Sequence, residues 1–294
     1  MIPARYQSSR LPGKPLLSIG QSTMIERVYA QVSKARLVTR VIIATDDDRI
    51  YRAASAFGAE AVGTSPEHAS GTDRVAEVAA AVPEASIVVN VQGDEPFLDP
   101  GAIDQAVGAM LADRAAQSSA RPPAPVYTLM TALDPKDARD PNVVKVVCDL
   151  QGCALYFSRA SLPYIRDAAA AASPTNDAAR SAPFMKDAAE AGVVAFHKHL
   201  GLYVYERDFL IRFPKMCRGP LEAAEKLEQL RVLENGYRIR VVFTAHDSLG
   251  VDTEEDLERA RARARALDEQ GQQPGYSGRA AAAARHGAGA DENG

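Results

Sequence analysis

Cysteine is scarce in this chain. Its three residues, Cys148, Cys153 and Cys217, are too few and too irregularly spaced for a disulfide framework or a four-ligand zinc site, so they are expected to be reduced, buried thiols. Long apolar runs are missing as well: none reaches the roughly 18 residues of a membrane span, and no charged N-terminal region leads into an apolar one. The cytoplasm is therefore the expected compartment. An excess of positive charge is also lacking. With 34 Lys and Arg against 38 Asp and Glu, the formal charge is −4, and aromatics make up only 6% of the residues, so general nucleic-acid binding finds no support. Any anion site must be local. What is present is ample apolar material: 46% of the 294 residues are hydrophobic, enough to bury a full core.

Val41 to Thr45 and Ile87 to Val91 are continuous apolar runs with β-branched residues, the pattern of strands covered on both faces of a parallel sheet. Each follows a stretch of helical period, Ile25, Val28, Val32 and Ala35 before the first, and Val75, Val78, Ala79 and Val82 before the second. This alternation predicts an α/β, doubly wound domain, in which ligands sit beyond the carboxyl ends of the strands. Val126 to Leu133 and Val143 to Val147 read as further strands, and Arg114 to Pro125 as a surface loop. Leu221 to Leu233 reads as one helix with Leu227, Leu230 and Leu233 on one face, and Glu254 to Leu267 as another. Residues 168–195 form an Ala-rich insertion and residues 268–294 a tail expected to be disordered, leaving a single domain over residues 1–267.

The segment from Ile2 to Pro15 carries Arg5, Arg10 and Lys14 and no acid. A cation is costly to desolvate without a partner, so three in one short loop face either water or a bound polyanion. Gly13 and Pro15 flank Lys14 and give the loop a defined turn. Gln92-Gly93-Asp94-Glu95-Pro96 directly follows a buried strand. Read alone it is an acidic turn closed by Pro96, or a carboxylate placed to bridge Mg²⁺ to phosphates. In Gly250 to Leu257, Asp252 with Glu255 can cap the last helix, or Thr253 can do so and leave Asp252 free. Ser70 to Arg74 opens a helix that Ser70 or Thr72 can cap. Arg159 follows a strand-like stretch. His199, beside an apolar run, reads equally as a satisfied core residue, and Glu228 and Gln229 as the solvated face of their helix. Asp46 to Asp48 read as a helix cap and a solvated acidic turn.

Taken in order, these blocks resemble the 3-deoxy-manno-octulosonate (Kdo) cytidylyltransferases. The matching elements are the loop Pro3 to Leu16, S-G-T-D-R at Ser70 to Arg74, V-N-V-Q-G-D-E-P at Val89 to Pro96, A-L-Y-F-S-R-A at Ala154 to Ala160, H-L-G-L-Y at His199 to Tyr203, L-E-Q-L-R at Leu227 to Arg231, and Gly250 to Leu257. The resemblance implies a Rossmann-like, nucleotide-diphospho-sugar transferase-like fold on a mixed but mostly parallel sheet, with a smaller sugar-binding and dimerisation subregion. It implies the reaction CTP + Kdo → CMP-Kdo + pyrophosphate for lipopolysaccharide biosynthesis, by in-line attack of the anomeric hydroxyl on the α-phosphate. By the same resemblance, Pro3, Arg5, Arg10, Lys14, Ser70, Gly71 and Arg74 bind CTP. Gln92, Arg159, His199, Tyr203, Glu228 and Gln229 bind Kdo, and Arg159 suits a carboxylate because a planar guanidinium grips it at two points. Asp94 and Asp252 hold Mg²⁺ and, with Arg10 and Lys14, form the catalytic set. A homodimer is implied too. The nearest alternative substrate is another acidic sugar such as a sialic acid, against which the R-L-P-G-K-P and H-L-G-L-Y blocks point to Kdo. The likeness is weakest at residues 168–195, at His246 to Leu249, in the tail, and at the start. Only Met1 and Ile2 precede Pro3 where that family carries several apolar residues, so the first strand is shortened or the start lies upstream, the latter favoured.

Overall fold

The computed structural model describes residues 1–7, 10–116, 123–166 and 195–269. Residues 168–194 of the expected insertion (168–195) and 270–294 of the expected tail (268–294) lie outside the described residues, as do positions 117–122 of the Arg114 to Pro125 loop.

Seven strands form the central sheet. β1 (Ile2–Ala4) runs parallel to β4 (Ile42–Thr45), which runs parallel to β5 (Glu60–Gly63). Met1 N donates to Val89 O (2.7 Å) and Val91 N to Met1 O (3.0 Å), a parallel pattern that seats β6 (Ile87–Asn90) on the other side of β1. β10 (Phe196–Glu206) then pairs antiparallel with both β6 and β7 (Val126–Leu133), and β11 (Ile239–Phe243) pairs parallel with β7. The order is thus β5-β4-β1-β6-β10-β7-β11, and only β10 runs against the others. The expected mixed, mostly parallel sheet is the one observed. A two-strand antiparallel extension, β8 (Lys145–Cys148) and β9 (Ala154–Ser158), hangs from β10 through the Lys145 to Lys198 pairing. β2 (Ser18–Ile19) and β3 (Ser22–Thr23) make a small separate hairpin.

Helices cover both faces, as the doubly wound reading requires. Ile25, Val28 and Val32 of α1 (Met24–Val32) and Ile103 and Val107 of α4 (Pro100–Ala115) share one buried cluster with Ile2, Ile43 and Leu129. On the opposite face Val75 and Ala79 of α3 (Gly71–Ala80) pack with Val126, Phe157, Tyr203 and Phe209, the last from α5 (Arg207–Arg212). Fully burying side chains of this size contributes about 1.5–3 kcal/mol each, which makes the β1 and β4 residues at the sheet centre the anchor for the loops that follow them. α2 (Asp48–Ala56) is capped by Asp47, whose Oδ1 accepts from Arg49 N (2.9 Å).

Two expectations are corrected. The single helix over Leu221 to Leu233 is broken into α6 (Pro220–Glu225) and α7 (Leu230–Glu234), because Lys226 takes a left-handed backbone (φ 54°) that ends the first helix. Leu227 and Leu230 are still buried, so the leucine period reflects a turn folded onto the core rather than one continuous helix. Of the cysteines, Cys148 and Cys153 are buried but Cys217 is exposed. No helix among the described residues is long and apolar enough to cross a membrane.

Candidate active site

Two glycines let the loops after β6 and before α3 close on β1. A Cβ on Gly93 would come within 2.8 Å of Pro3 O, and one on Gly71 within 3.1 Å of the Pro3 ring. Pro3 therefore sits wedged between the turn after β6 and the start of α3. Gly13 supplies a third special position: its φ of 67° turns the chain so that Gly13 N reaches Tyr6 O at 3.0 Å and Lys14 enters a short helical turn through Leu16.

That turn delivers the Lys14 ammonium between two acids. Lys14 Nζ lies 2.7 Å from Asp94 Oδ2 and 3.0 Å from Asp252 Oδ1. Burial pulls its pKa down, but the charges and hydrogen bonds of the two aspartates outweigh that and hold it above the usual lysine value. Arg10 Nη2 adds a looser contact to Asp252 Oδ2 at 3.5 Å. The loop without acids thus finds its counter-charges across the fold. The expectation that its cations face only water or a polyanion is corrected to that extent.

The carboxylates are held from behind. Val251 N donates to Asp94 O (2.9 Å), joining the turn after β6 to the strand-like lead into α8 (Glu254–Glu269). Thr253 and Asp256 cap that helix reciprocally: Asp256 N donates to Thr253 Oγ1 (3.2 Å) and Thr253 N to Asp256 Oδ2 (2.9 Å). Of the two caps the sequence allowed, Thr253 is used, with Asp256 rather than Glu255 as its partner, and the Asp252 side chain is left for the cleft. Glu95, passed over in reading the sequence, is buried beside Asp94 and accepts from Ser248 Oγ (3.0 Å). Burial and the Asp94 charge push its carboxyl up to about 7 against the Ser248 hydrogen bond. Lys198 Nζ, bound to Asp247 Oδ1 (2.7 Å) and Ser248 O (3.2 Å), tethers the same segment. A second acid directly following Asp94 was the available signal, but its partner lies 153 positions away in sequence.

Two cavities meet at these aspartates. The smaller, of about 390 Å³, is lined by all seven residues expected to bind the nucleotide, Pro3, Arg5, Arg10, Lys14, Ser70, Gly71 and Arg74. The larger, of about 1160 Å³, is lined by all six expected on the sugar side, Gln92, Arg159, His199, Tyr203, Glu228 and Gln229. Arg10, Gln92, Asp94 and Asp252 line both.

Several of these side chains are less free than the sequence suggested. Ser70 caps α3 by accepting from Asp73 N (3.1 Å). Arg74 is buried, with Nη2 3.1 Å from Asp46 Oδ2 and Nη1 donating to Thr64 Oγ1. Asp46 is accordingly an ion-pair partner and not part of a solvated turn. The Arg159 guanidinium donates to Glu225 O (3.0 Å) and Pro141 O (2.9 Å), which fixes its plane at the cavity edge. His199 is both things the sequence allowed: its Nε2 is 3.0 Å from Thr128 Oγ1 and its ring meets Phe157 edge-on, yet it also lines the larger cavity. Burial pulls its pKa down to about 3, so the imidazole is neutral. Gln229 is buried and Glu228 half-buried, so neither is part of a freely solvated helix face, because the break at Lys226 turns them inward.

A cytidylyltransferase family model matches residues 1–239. The 3-deoxy-manno-octulosonate cytidylyltransferase of Geobacter sulfurreducens is 50% identical over 260 residues, covering 88% of this chain and 96% of its own length. The one from Solibacter usitatus is 49% identical over 260 residues, covering 88% and 91%. The chain belongs to the Kdo cytidylyltransferase family. A solved CMP:2-keto-3-deoxy-manno-octonic acid synthetase complexed with CTP is 40% identical, covers 91% of this chain and 97% of its own, and superposes with a TM-score of 0.75. A 4-diphosphocytidyl-2C-methyl-D-erythritol synthase from Anaerococcus prevotii, 12% identical with a TM-score of 0.51 over 90% of the chain, shares the fold alone. Membership of the family agrees with the ordered motif blocks and with the sheet order.

Proposed function

We propose that this chain transfers the cytidylyl group of CTP to Kdo, releasing pyrophosphate and forming CMP-Kdo for lipopolysaccharide biosynthesis. The observation that carries the reading is the meeting of two separately lined cavities at Asp94 and Asp252. A two-substrate transfer needs its reacting atoms brought together from two sides, and holding them in line accounts for much of the barrier reduction. In this reading the smaller cavity takes CTP. Backbone amides at Gly71, with Ser70 and Arg74, offer donors to the cytosine edge, while Arg5, Arg10 and Lys14 meet the triphosphate. The larger cavity takes the sugar acid, with Arg159 toward its carboxylate and Gln92, His199, Tyr203, Glu228 and Gln229 toward its hydroxyls.

The aspartate pair also fits Mg²⁺. Hard carboxylate oxygens from two segments already converge on a single positive charge, that of Lys14. Mg²⁺ takes one or two carboxylates and completes its shell with phosphate oxygens and water, so two suffice. Bound there, the ion would polarise the α-phosphate and favour the ionised form of the attacking hydroxyl. Lys14 would then exchange its carboxylates for phosphate oxygens and, with Arg10, stabilise charge developing on the leaving pyrophosphate.

The test is pyrophosphate release by the purified chain with CTP, Mg²⁺ and Kdo. Release that depends on all three is expected. None with Kdo, or equal release with a sialic acid, would overturn the substrate assignment. A homodimer acting in the cytoplasm belongs to the same reading, and light scattering on the eluting protein checks the dimer.

A further inference from the structure

Thr72 sits one residue past Gly71 in the S-G-T-D-R element, yet its side chain does not turn with its neighbours. Ser70, Gly71 and Arg74 line the smaller cavity, whereas Thr72 lines the larger one. Its Oγ1 donates to Glu228 Oε2 at 2.6 Å and accepts from Asn90 Nδ2 at 3.2 Å. A hydroxyl has one proton to give and two lone pairs to fill, so these two partners take its proton and one lone pair and hold its rotamer. The side chain is 4% exposed.

Glu228 is held from a second side as well, with Arg231 Nη2 3.7 Å from Oε1. Among the described residues, Glu228 Oε1 nevertheless has no hydrogen-bond donor. A buried acceptor left in that state costs free energy until a ligand donor reaches it. The position that Thr72 imposes on Oε2 also sets the orientation of the buried, unpartnered Oε1 in a side chain that lines the larger cavity.

We propose that Thr72 is a positioning residue for the sugar acid, holding the Glu228 carboxylate, with its unpartnered oxygen, for a hydroxyl of that substrate from a segment whose neighbours serve the nucleotide. The inference rests on the assignment of the larger cavity to Kdo. It also makes the two sites mechanically adjacent. The hydrogen bond from Thr72 ties the start of α3 to the turn carrying Glu228.

The experiment measures KM for Kdo and for CTP, and kcat, in Thr72→Val and Thr72→Ser, each alone and combined with Glu228→Gln, with a melting curve for every variant. Thr72→Val keeps the shape and removes the hydroxyl. It is expected to raise KM for Kdo about tenfold or more, the scale of a lost hydrogen bond to a charged group, and to leave KM for CTP within about twofold. Thr72→Ser restores the hydroxyl and should return KM for Kdo to near the wild-type value. In the Glu228→Gln background the effect of Thr72→Val should largely vanish, since it acts through that carboxylate. A rise in KM for CTP with that for Kdo unchanged assigns Thr72 to the nucleotide and overturns the proposal. So does an equal loss in Thr72→Ser, or full additivity with Glu228→Gln. Should Thr72→Val melt early, Thr72→Ala with the same two KM values decides. A wild-type chain inactive with Kdo but active with another acidic sugar refutes the Kdo assignment separately, and the same split is then read with that sugar.

Discussion

Lys14→Ala should weaken turnover and strengthen metal binding at once. In the structure the Lys14 ammonium is the counter-charge of both Asp94 and Asp252, at 2.7 Å and 3.0 Å, and its side chain is only 14% exposed. Remove it and two carboxylates face each other without a cation. Two like charges about 4 Å apart repel by about 1 kcal/mol in water and about 4 kcal/mol at a partly buried site. Asp252 is 55% exposed and Asp94 30%, which puts the pair toward the lower end. A relief of about 1.4 kcal/mol is a factor of ten in affinity. The nucleotide-free variant should therefore bind Mn²⁺ or Mg²⁺ about five- to tenfold more tightly than the wild type, because the ion no longer displaces an ammonium. Turnover should fall about 10²-fold or more, the loss typical of one donor to a developing oxyanion. Titration of Mn²⁺ by electron paramagnetic resonance on nucleotide-free protein reads the first effect, and pyrophosphate release the second. Unchanged ion affinity would show that the two aspartates are not where a cation binds. Turnover near that of the wild type would show that Lys14 does not act on the leaving group.

Three other substitutions probe the frame around the site. Gly93→Ala places a methyl 2.8 Å from Pro3 O, and since neither backbone yields cheaply it should cost about 1–3 kcal/mol in a urea melt, with unchanged stability refuting the close approach. Arg231 is 1% exposed, makes a two-point pair with Glu222 (2.8 and 2.6 Å) and stacks on Phe213 at 4.4 Å. Arg231→Ala strands that glutamate and should cost about 3–5 kcal/mol, while Arg231→Met with Glu222→Leu should recover most of it; equal losses in both would contradict a buried pair. His199 has a folded pKa of about 3, below its ordinary 6.5. Protons therefore go first to the unfolded chain, and the contribution of a neutral His199 is full above pH 6.5 and lost as pH falls toward 3. Between pH 7 and pH 5 it should remove about 2 kcal/mol of stability, and denaturant melts of His199→Gln across that range should show the difference from wild type shrinking as pH falls. A constant difference would mean that His199 is not buried neutral.

What the sequence made legible follows from which forces are local. Apart from Thr45 and Asn90, Val41 to Thr45 and Ile87 to Val91 are apolar because strands at the sheet centre are covered on both faces, and β4 and β6 lie within them. The Thr253 cap was readable because its partner is three residues away. The break at Lys226 was not. It involves neither Gly nor Pro, and the leucine period continues across it. Pairings such as Asp46 with Arg74, Glu95 with Ser248 and Thr72 with Glu228 were beyond reach for another reason: each needs the register of elements that only the completed sheet sets. The site residues themselves were found by their order along the chain. Their orientations were not, and Thr72 is the case where orientation reverses what position suggests.

The acids and the cations of this site differ in how firmly they are held, and that difference bears on mechanism. Asp94 follows a central strand, and its carbonyl accepts from Val251 N. Asp252 precedes a capped sixteen-residue helix, and Glu95 with Ser248 joins the two segments a second time. Both carboxylates are therefore placed by backbone. Lys14 and Arg10 reach them only through long side chains on a loop, and such chains change rotamer within picoseconds to nanoseconds where exposed; Arg10 is 61% exposed. When an anion enters the smaller cavity, these long side chains can turn to it while the carboxylates stay in place. A site built this way keeps its negative pair paired when empty and exposes it to a metal as the nucleotide draws the lysine away, so metal and nucleotide should bind with positive coupling. In the wild type, CTP should tighten Mn²⁺ binding by more than the ion's affinity for free CTP accounts for, and in Lys14→Ala that excess should disappear.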